Sequence, residues 1–412
     1  MEIRNRLSRL ARMPVFWVGV IAVATLIIRF VIINNPAEVV FDEYYYVGDA
    51  RKIIHGQGEL RHEHPPLGQL VIALGMLIFG DTAPGWRIFP VLFGTASVIF
   101  FYLICRQLKL SGRASVFATF LLATENQFFI QSNIAMLDVF SLTFMLAAFY
   151  FYLRRSYPLA GVFIALSTLS KLTGAVGMIV IVLHWLMARR DSPRLFGLSV
   201  LLAPLLFFEL LMPLDYIATG KFVEPVGRVW NMLAASRSIT MEYSTHPFES
   251  YPWDWVLKPL VMPYWYEPYY SGTISFTLWA LIIPAVVYLS FRAKQGNQAG
   301  LFSGLWFACT YFFWIVLSLI TDRVTYVFYF YPVTGAVCLG VGMVLAEVVG
   351  FWERNRSSPL RIGAFAGVVL FFMAHLAVFV LLSPMVQSVP AWLKPVLTPP
   401  APPTTPTTTN IP

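Results

Sequence analysis

The chain of 412 residues is 58% hydrophobic and only 12% charged, with a net charge of +8. Soluble domains carry about 25% charged residues, so this balance excludes an ordinary soluble fold and points to lipid as the solvent. The basic residues sit at the ends of apolar runs rather than along a basic and aromatic stripe, which sets nucleic acid aside as a partner.

Runs of about 18–22 apolar residues match a hydrocarbon core roughly 30 Å thick, and in lipid each run must satisfy its own backbone as a helix. The fold class is therefore an all-α polytopic membrane protein. In chain order, spanning helices are predicted over 14–33, 86–106, 113–130, 134–153, 157–170, 172–188, 195–214, 273–291, 300–320, 324–349 and 361–383, about eleven in all. Segment 67–79 is too short to span and reads as a juxtamembrane helix at the interface.

The basic stretch MEIRNRLSRLAR precedes a full-length apolar run, so 14–33 reads as a retained first helix rather than a cleaved signal. A cytoplasmic N-terminus then gives every short inner segment at least two Lys or Arg, as the positive-inside rule asks. Loops 34–85 and 215–272 face outward, and residues 1–383 form the membrane domain. Residues 384–412, ending in TPPAPPTTPTTTNIP, read as an extracytoplasmic, extended tail. Cys105, Cys309 and Cys338 all fall in apolar runs, which argues against a disulfide framework.

The chemistry-bearing residues cluster on the outward side. Asp42 and Glu43 are adjacent carboxylates at a membrane surface, where at least one pKa rises into the range of a general base. An ordinary interfacial acidic pair is the alternative. Glu63 and His64, with His62, offer metal-ligand chemistry, but neighbouring positions diverge, and hydrogen bonding is the better reading. Glu125, Asn126 and Asp138 sit near helix ends at a depth where carboxylates are costly, fitting either a site or an interhelical hydrogen bond. Lys171, Arg87 and Arg323 occupy the same level, suited to a lipid phosphate or to snorkelling. His246 and Trp253 belong to an aromatic loop that either anchors in headgroups or stacks on a sugar.

Taken in order, several segments resemble the protein O-mannosyltransferase family of C-type (GT-C) membrane glycosyltransferases. They are Arg29…Pro36…Phe41-Asp42-Glu43, His64-Pro65-Pro66-Leu67-Gly68, Arg87…Pro90…Gly94, Glu125-Asn126, Leu137-Asp138, Ser170-Lys171-Leu172-Thr173-Gly174 and Thr245-His246-Pro247-Phe248…Trp253-Asp254-Trp255. The resemblance implies a GT-C bundle and inverting transfer of a sugar, typically mannose, from a polyprenyl-phosphate donor to Ser/Thr hydroxyls of exported proteins. It implies Asp42 as base supported by Glu43, with Arg87, Lys171 and Arg323 at the donor phosphate. Glu63, His64, Glu125, Asn126, Asp138, His246 and Trp253 would shape the site. No cofactor is implied, a divalent cation being the side reading.

Gln69 and Asn133 replace cations common in the family, and the second loop is too short for the β-rich module of eukaryotic members. A C-type transferase with a lipid or glycan acceptor is the alternative. A transporter fits less well, since no repeated halves are visible.

Overall fold

The computed structural model describes residues 13–385, apart from 59–60, 62, 189–190, 238–239, 243–245, 267–268 and 356–359. The basic N-terminal stretch, His62, Thr245 and the tail from 386 onward lie outside the described residues.

Helix α1 (Pro14–Ile32) leads into the first large loop, which holds α2 (Glu43–Ile54) and α3 (Leu67–Phe79). There follow α4 (Ala83–Gln107), α5 (Gly112–Ala123), α6 (Asn126–Gln131), α7 (Leu137–Leu153) and α8 (Tyr157–Ser170). A 3₁₀ turn at Leu172–Ala175 opens α9 (Val176–Met187), and α10 (Pro193–Thr219) comes next. The second large loop carries α11 (Pro225–Arg237), α12 (Asp254–Leu257) and an antiparallel hairpin of β1 (Met262–Tyr266) and β2 (Tyr269–Gly272). Then come α13 (Phe276–Trp279), α14 (Ile282–Lys294), α15 (Gln298–Thr321), a 3₁₀ segment Val327–Val333, α16 (Thr334–Arg354) and α17 (Leu360–Leu382).

Six stretches among the described residues are long and apolar enough to cross a bilayer: α1, α4, α10, α15, Val327–Arg354 and α17. At the other predicted positions the helices are shorter. The predicted span 113–130 divides because Glu125 caps α6, its carboxylate accepting the Phe128 amide at 2.6 Å. The juxtamembrane prediction lands on α3, which buries Ile72, Ala73 and Met76 and exposes Leu74, Leu77 and Ile78.

Helix α7 is buried along most of its length and packs between α4 and α8, while α8 packs on α10 and α5 on α16. Lipid gives helices no hydrophobic push toward each other, so close approach depends on small residues. A Cβ on Gly342 of α16 would lie 2.7 Å from the Ala118 backbone in α5, and one on Gly161 of α8 would lie 2.6 Å from the Ser199 carbonyl in α10.

Helix α2 escapes hydropathy reading because its inward face includes charges: Glu43, Tyr46, Val47, Asp49 and Ala50 are buried together. The reason Glu43 can be buried is Arg87. Both side chains are fully buried, and the guanidinium meets the carboxylate twice, at 2.7 and 2.9 Å. Its three remaining N–H groups donate to the carbonyls of Ile33 (3.0 Å), Pro36 (2.6 Å) and Glu38 (2.9 Å). An arginine has five N–H donors, and all five are used. Glu43 further accepts the amides of Val40 at 2.9 Å and Ala135 at 2.8 Å.

Arg87 was a candidate for the donor phosphate; with no donor left and no exposure, it instead fastens the end of α1, the loop after it, α2 and the approach to α7. Removing one member of a buried pair strands the other's charge, at a typical cost of about 3–5 kcal/mol. Arg87→Ala is expected to lose about that much in unfolding measurements in detergent, and Arg87→Lys, with three donors for five, to fall between. A midpoint unchanged in both variants would show that the pair carries no stability.

Candidate active site

The pair's grip on Glu43 fixes what its neighbour can do. Phe41 has a left-handed backbone (φ 50°), and its ring stacks on Tyr264 of β1 with centroids 4.0 Å apart. A non-glycine residue held there costs on the order of 1 kcal/mol, which the stacking offsets. The turn leaves Asp42 just before α2, half-buried, with its carboxylate making no hydrogen bond or ion pair to a described residue. Loss of water pushes the Asp42 carboxyl up to about 6; Lys171 and Arg61 pull against this and Asp138 adds to it. Two adjacent carboxylates thus part company, one spent on structure and one free.

Lys171 ends α8 in an extended conformation that turns its side chain inward. Its ammonium lies 2.8 Å from each Asp138 oxygen, both groups nearly buried, and 5.4 Å from the Tyr329 ring centre. One turn beyond Asp42, the Tyr46 hydroxyl lies 3.4 Å from Nε2 of His64. Burial pushes the His64 imidazole well below its ordinary range, and Lys171, Arg323, Arg61 and Arg228 push it further, so the ring is neutral at neutral pH.

Beside these residues opens a cavity of about 430 Å³. Its polar lining includes Lys171, His64, Glu63, Arg237 and Arg323, and its apolar lining comes largely from Ile179 of α9 and Phe313, Trp314 and Leu317 of α15. Arg323 donates to the Ser236 carbonyl at 3.0 Å, while its Nε is buried with no partner among the described residues. Arg237 is exposed and forms no ion pair with a described residue. Cations able to grip phosphate oxygens, set beside an apolar wall, suit an anion carried on a hydrocarbon chain. Arg237 went unnoticed in the sequence; its signal is its place at the end of α11, whose buried positions are only Arg228 and Met232.

Other expected site residues lie elsewhere. Glu125 accepts the Phe128 and Ser275 amides, and Asn126 donates to the carbonyls of Ser271 (2.5 Å) and Thr273 (3.3 Å). Both are fully buried and tie α6 to the end of the hairpin; neither lines the cavity. His246 is exposed, its ring 5.2 Å from Tyr326, and Trp253 stacks on Tyr251 at 4.6 Å; these too stand apart from the lining. Among the described residues no three His, Cys, Asp or Glu side chains gather as a metal site.

Residues 63–214 match the model of the dolichyl-phosphate-mannose-protein mannosyltransferase family. The resemblance to that family is borne out. A polyprenol-phosphate-mannose–protein mannosyltransferase of Mycolicibacterium smegmatis is 30% identical over 140 residues, 32% of this chain and 27% of that protein. The match therefore spans little more than a quarter of that relative's length. The Saccharomyces cerevisiae protein O-mannosyltransferase Pmt1–Pmt2 complex, bound to the sugar donor, superposes with a TM-score of 0.71 at 14% identity, over 93% of this chain and 92% of that one. ArnT of Cupriavidus metallidurans, bound to undecaprenyl phosphate, gives 0.59 at 18% identity, over 89% of this chain and 70% of that one. The fold is the GT-C fold of membrane glycosyltransferases.

A carboxylate accepts a proton only when ionised, so the raised Asp42 pKa sets an acidic limb for any transfer that relies on it. In a transfer assay kcat/KM is expected to fall about tenfold per pH unit below about 6. Arg61→Gln, which removes a cation that holds Asp42 down, moves this acidic limb to higher pH. A limb that stays at the ordinary carboxylate range, unmoved by the variant, would sink the assignment.

Proposed function

We propose that the protein transfers mannose from a polyprenyl-phosphate donor to Ser or Thr hydroxyls of exported proteins, with inversion at the anomeric carbon. The observation that carries this reading is the free Asp42 carboxylate, close enough to Lys171 and Asp138 to feel their charges, with Lys171 in turn lining an apolar and cationic cavity. The named activity of the mannosyltransferase relatives supports the choice of sugar and acceptor.

In the proposed step, Asp42 takes the hydroxyl proton as the acceptor oxygen attacks the anomeric carbon. The bond from that carbon to the phosphate oxygen breaks, and polyprenyl phosphate leaves with the electron pair. Charge grows on the phosphate only as the bond breaks, so cations fixed nearby lower the barrier rather than merely bind substrate. Lys171, Arg323 and Arg237 are the groups for this role. Asp138 holds Lys171 in place, and Glu43 serves by being unavailable, locked to Arg87. Glu63 and His64 line the donor's path, and His64, being neutral, adds hydrogen bonding without charge. The active face is the outer one, opposite a cytoplasmic N-terminus, and the Thr-rich tail is a candidate acceptor on that side.

Asp42→Asn is expected to give a folded, inserted protein with transfer reduced about 10²–10⁴-fold, measured with radiolabelled polyprenyl-phosphate-mannose and a Thr/Pro-rich peptide. Full activity in that variant would overturn the role of the base. Arg323→Gln and Arg237→Gln are expected to raise the donor KM or lower kcat without altering the pH limb. Unchanged donor kinetics in both would remove them from the site.

A further inference from the structure

At the far end of the bundle a second cavity has no part in this chemistry. Helix α15 has 24 residues, so it runs roughly 36 Å from the Asp42 side, where Thr321 touches the first cavity, to Asn297 at its other end. There a cavity of about 280 Å³ is lined by three cations from three separate loops or helix ends: Lys109 after α4, Arg292 near the end of α14 and Arg354 at the end of α16.

Basic residues at helix ends ordinarily point apart into water; these converge on one hollow. Lys109 has a left-handed backbone (φ 60°), its amide donating to the Arg106 carbonyl at 3.1 Å. Neither Lys109 nor Arg354 forms an ion pair with a described residue. Arg292 has a buried Nε without a partner among the described residues, a loose 3.7 Å contact to Glu347 and a 3.3 Å bond to Gln295. Glu347, which also lines the hollow, accepts the Tyr288 hydroxyl at 2.7 Å, and the nearby Glu353 is already held by Arg113 at 2.6 and 3.0 Å. The local balance is three cations to one lining carboxylate. The floor is apolar, from Leu110, Ala114, Ala299 and Met343.

We infer that this cavity binds a phosphate group, with the glycerol phosphate of an anionic lipid and free inorganic phosphate as its two sources. The unpaired Nε and the two unpaired cations supply donors to phosphate oxygens, and the apolar floor accommodates the first carbons of a lipid. The site is independent of the transfer reaction proposed above.

The test uses the full chain in phosphatidylcholine nanodiscs with a minor share of phosphatidylglycerol, released for native mass spectrometry. Wild type is expected to retain one phosphatidylglycerol, and Arg292→Gln/Arg354→Gln to retain it roughly 30-fold less, at about a fivefold loss per cation removed. If millimolar inorganic phosphate occupies the site in pure phosphatidylcholine and displaces the lipid, and the variant loses this too, the inference holds with free phosphate as ligand. Should the double variant not fold, Arg354→Glu alone, at an exposed position, carries the comparison. Equal retention in wild type and a folded variant, with no phosphate binding by either, overturns the inference. Transfer activity is read alongside, so that loss of this site and failure of the proposed reaction are separate results.

Discussion

The architecture on the Asp42 side hangs on one ion pair kept from water. A carboxylate and a guanidinium buried together are costly unless every lone pair and proton finds a partner. Here Glu43 receives two contacts from Arg87 and two from backbone amides, and Arg87 spends its other donors on three carbonyls of the loop after α1. That loop cannot form a regular ladder, and where its carbonyls are turned away from water they need donors from somewhere. The arginine supplies them. With the loop fixed, the turn at Phe41 is fixed, and with that turn the position of Asp42.

The division of labour between Asp42 and Glu43 shows why adjacency in sequence says little about shared chemistry. One residue along a helix start rotates the side chain about 100°, enough to send one carboxylate onto Arg87 and leave the other without a hydrogen-bond partner among the described residues. The same contrast separates Arg87 from Arg323. Both are arginines after apolar stretches, yet one is saturated and the other keeps a buried donor without a partner among the described residues. Charge alone does not identify a binding residue; unsatisfied hydrogen-bonding capacity does.

Much of the frame was legible from hydropathy. The position of α8 was read to the residue, as was the interfacial α3, because apolar length and the prolines before them leave little choice. The pairing of Asp138 with Lys171 was legible only as a shared depth; contact between residues 33 apart in sequence depends on α7 packing against α8. Three features were out of reach. Helix α2 mixes charges into its buried face, α11 ends in an exposed Arg237, and the β1–β2 hairpin is short and aromatic like an interfacial anchor. Glu125 and Asn126 were read as site residues because buried polarity at depth usually signals function. Glu125 caps its own helix and accepts the Ser275 amide, and Asn126 donates to carbonyls at and just past the end of the hairpin, contacts about 150 residues away that no local pattern announces.

The full saturation of Arg87 separates two kinds of change that most sites entangle. Cations on the cavity rim can be exchanged by mutation without loosening the frame, because among the described residues the frame draws no side-chain hydrogen bond from Arg237 and one carbonyl contact from the Arg323 guanidinium. The charge lining the cavity can therefore drift in evolution, or be retuned in the laboratory, while the scaffold that positions Asp42 stays the same.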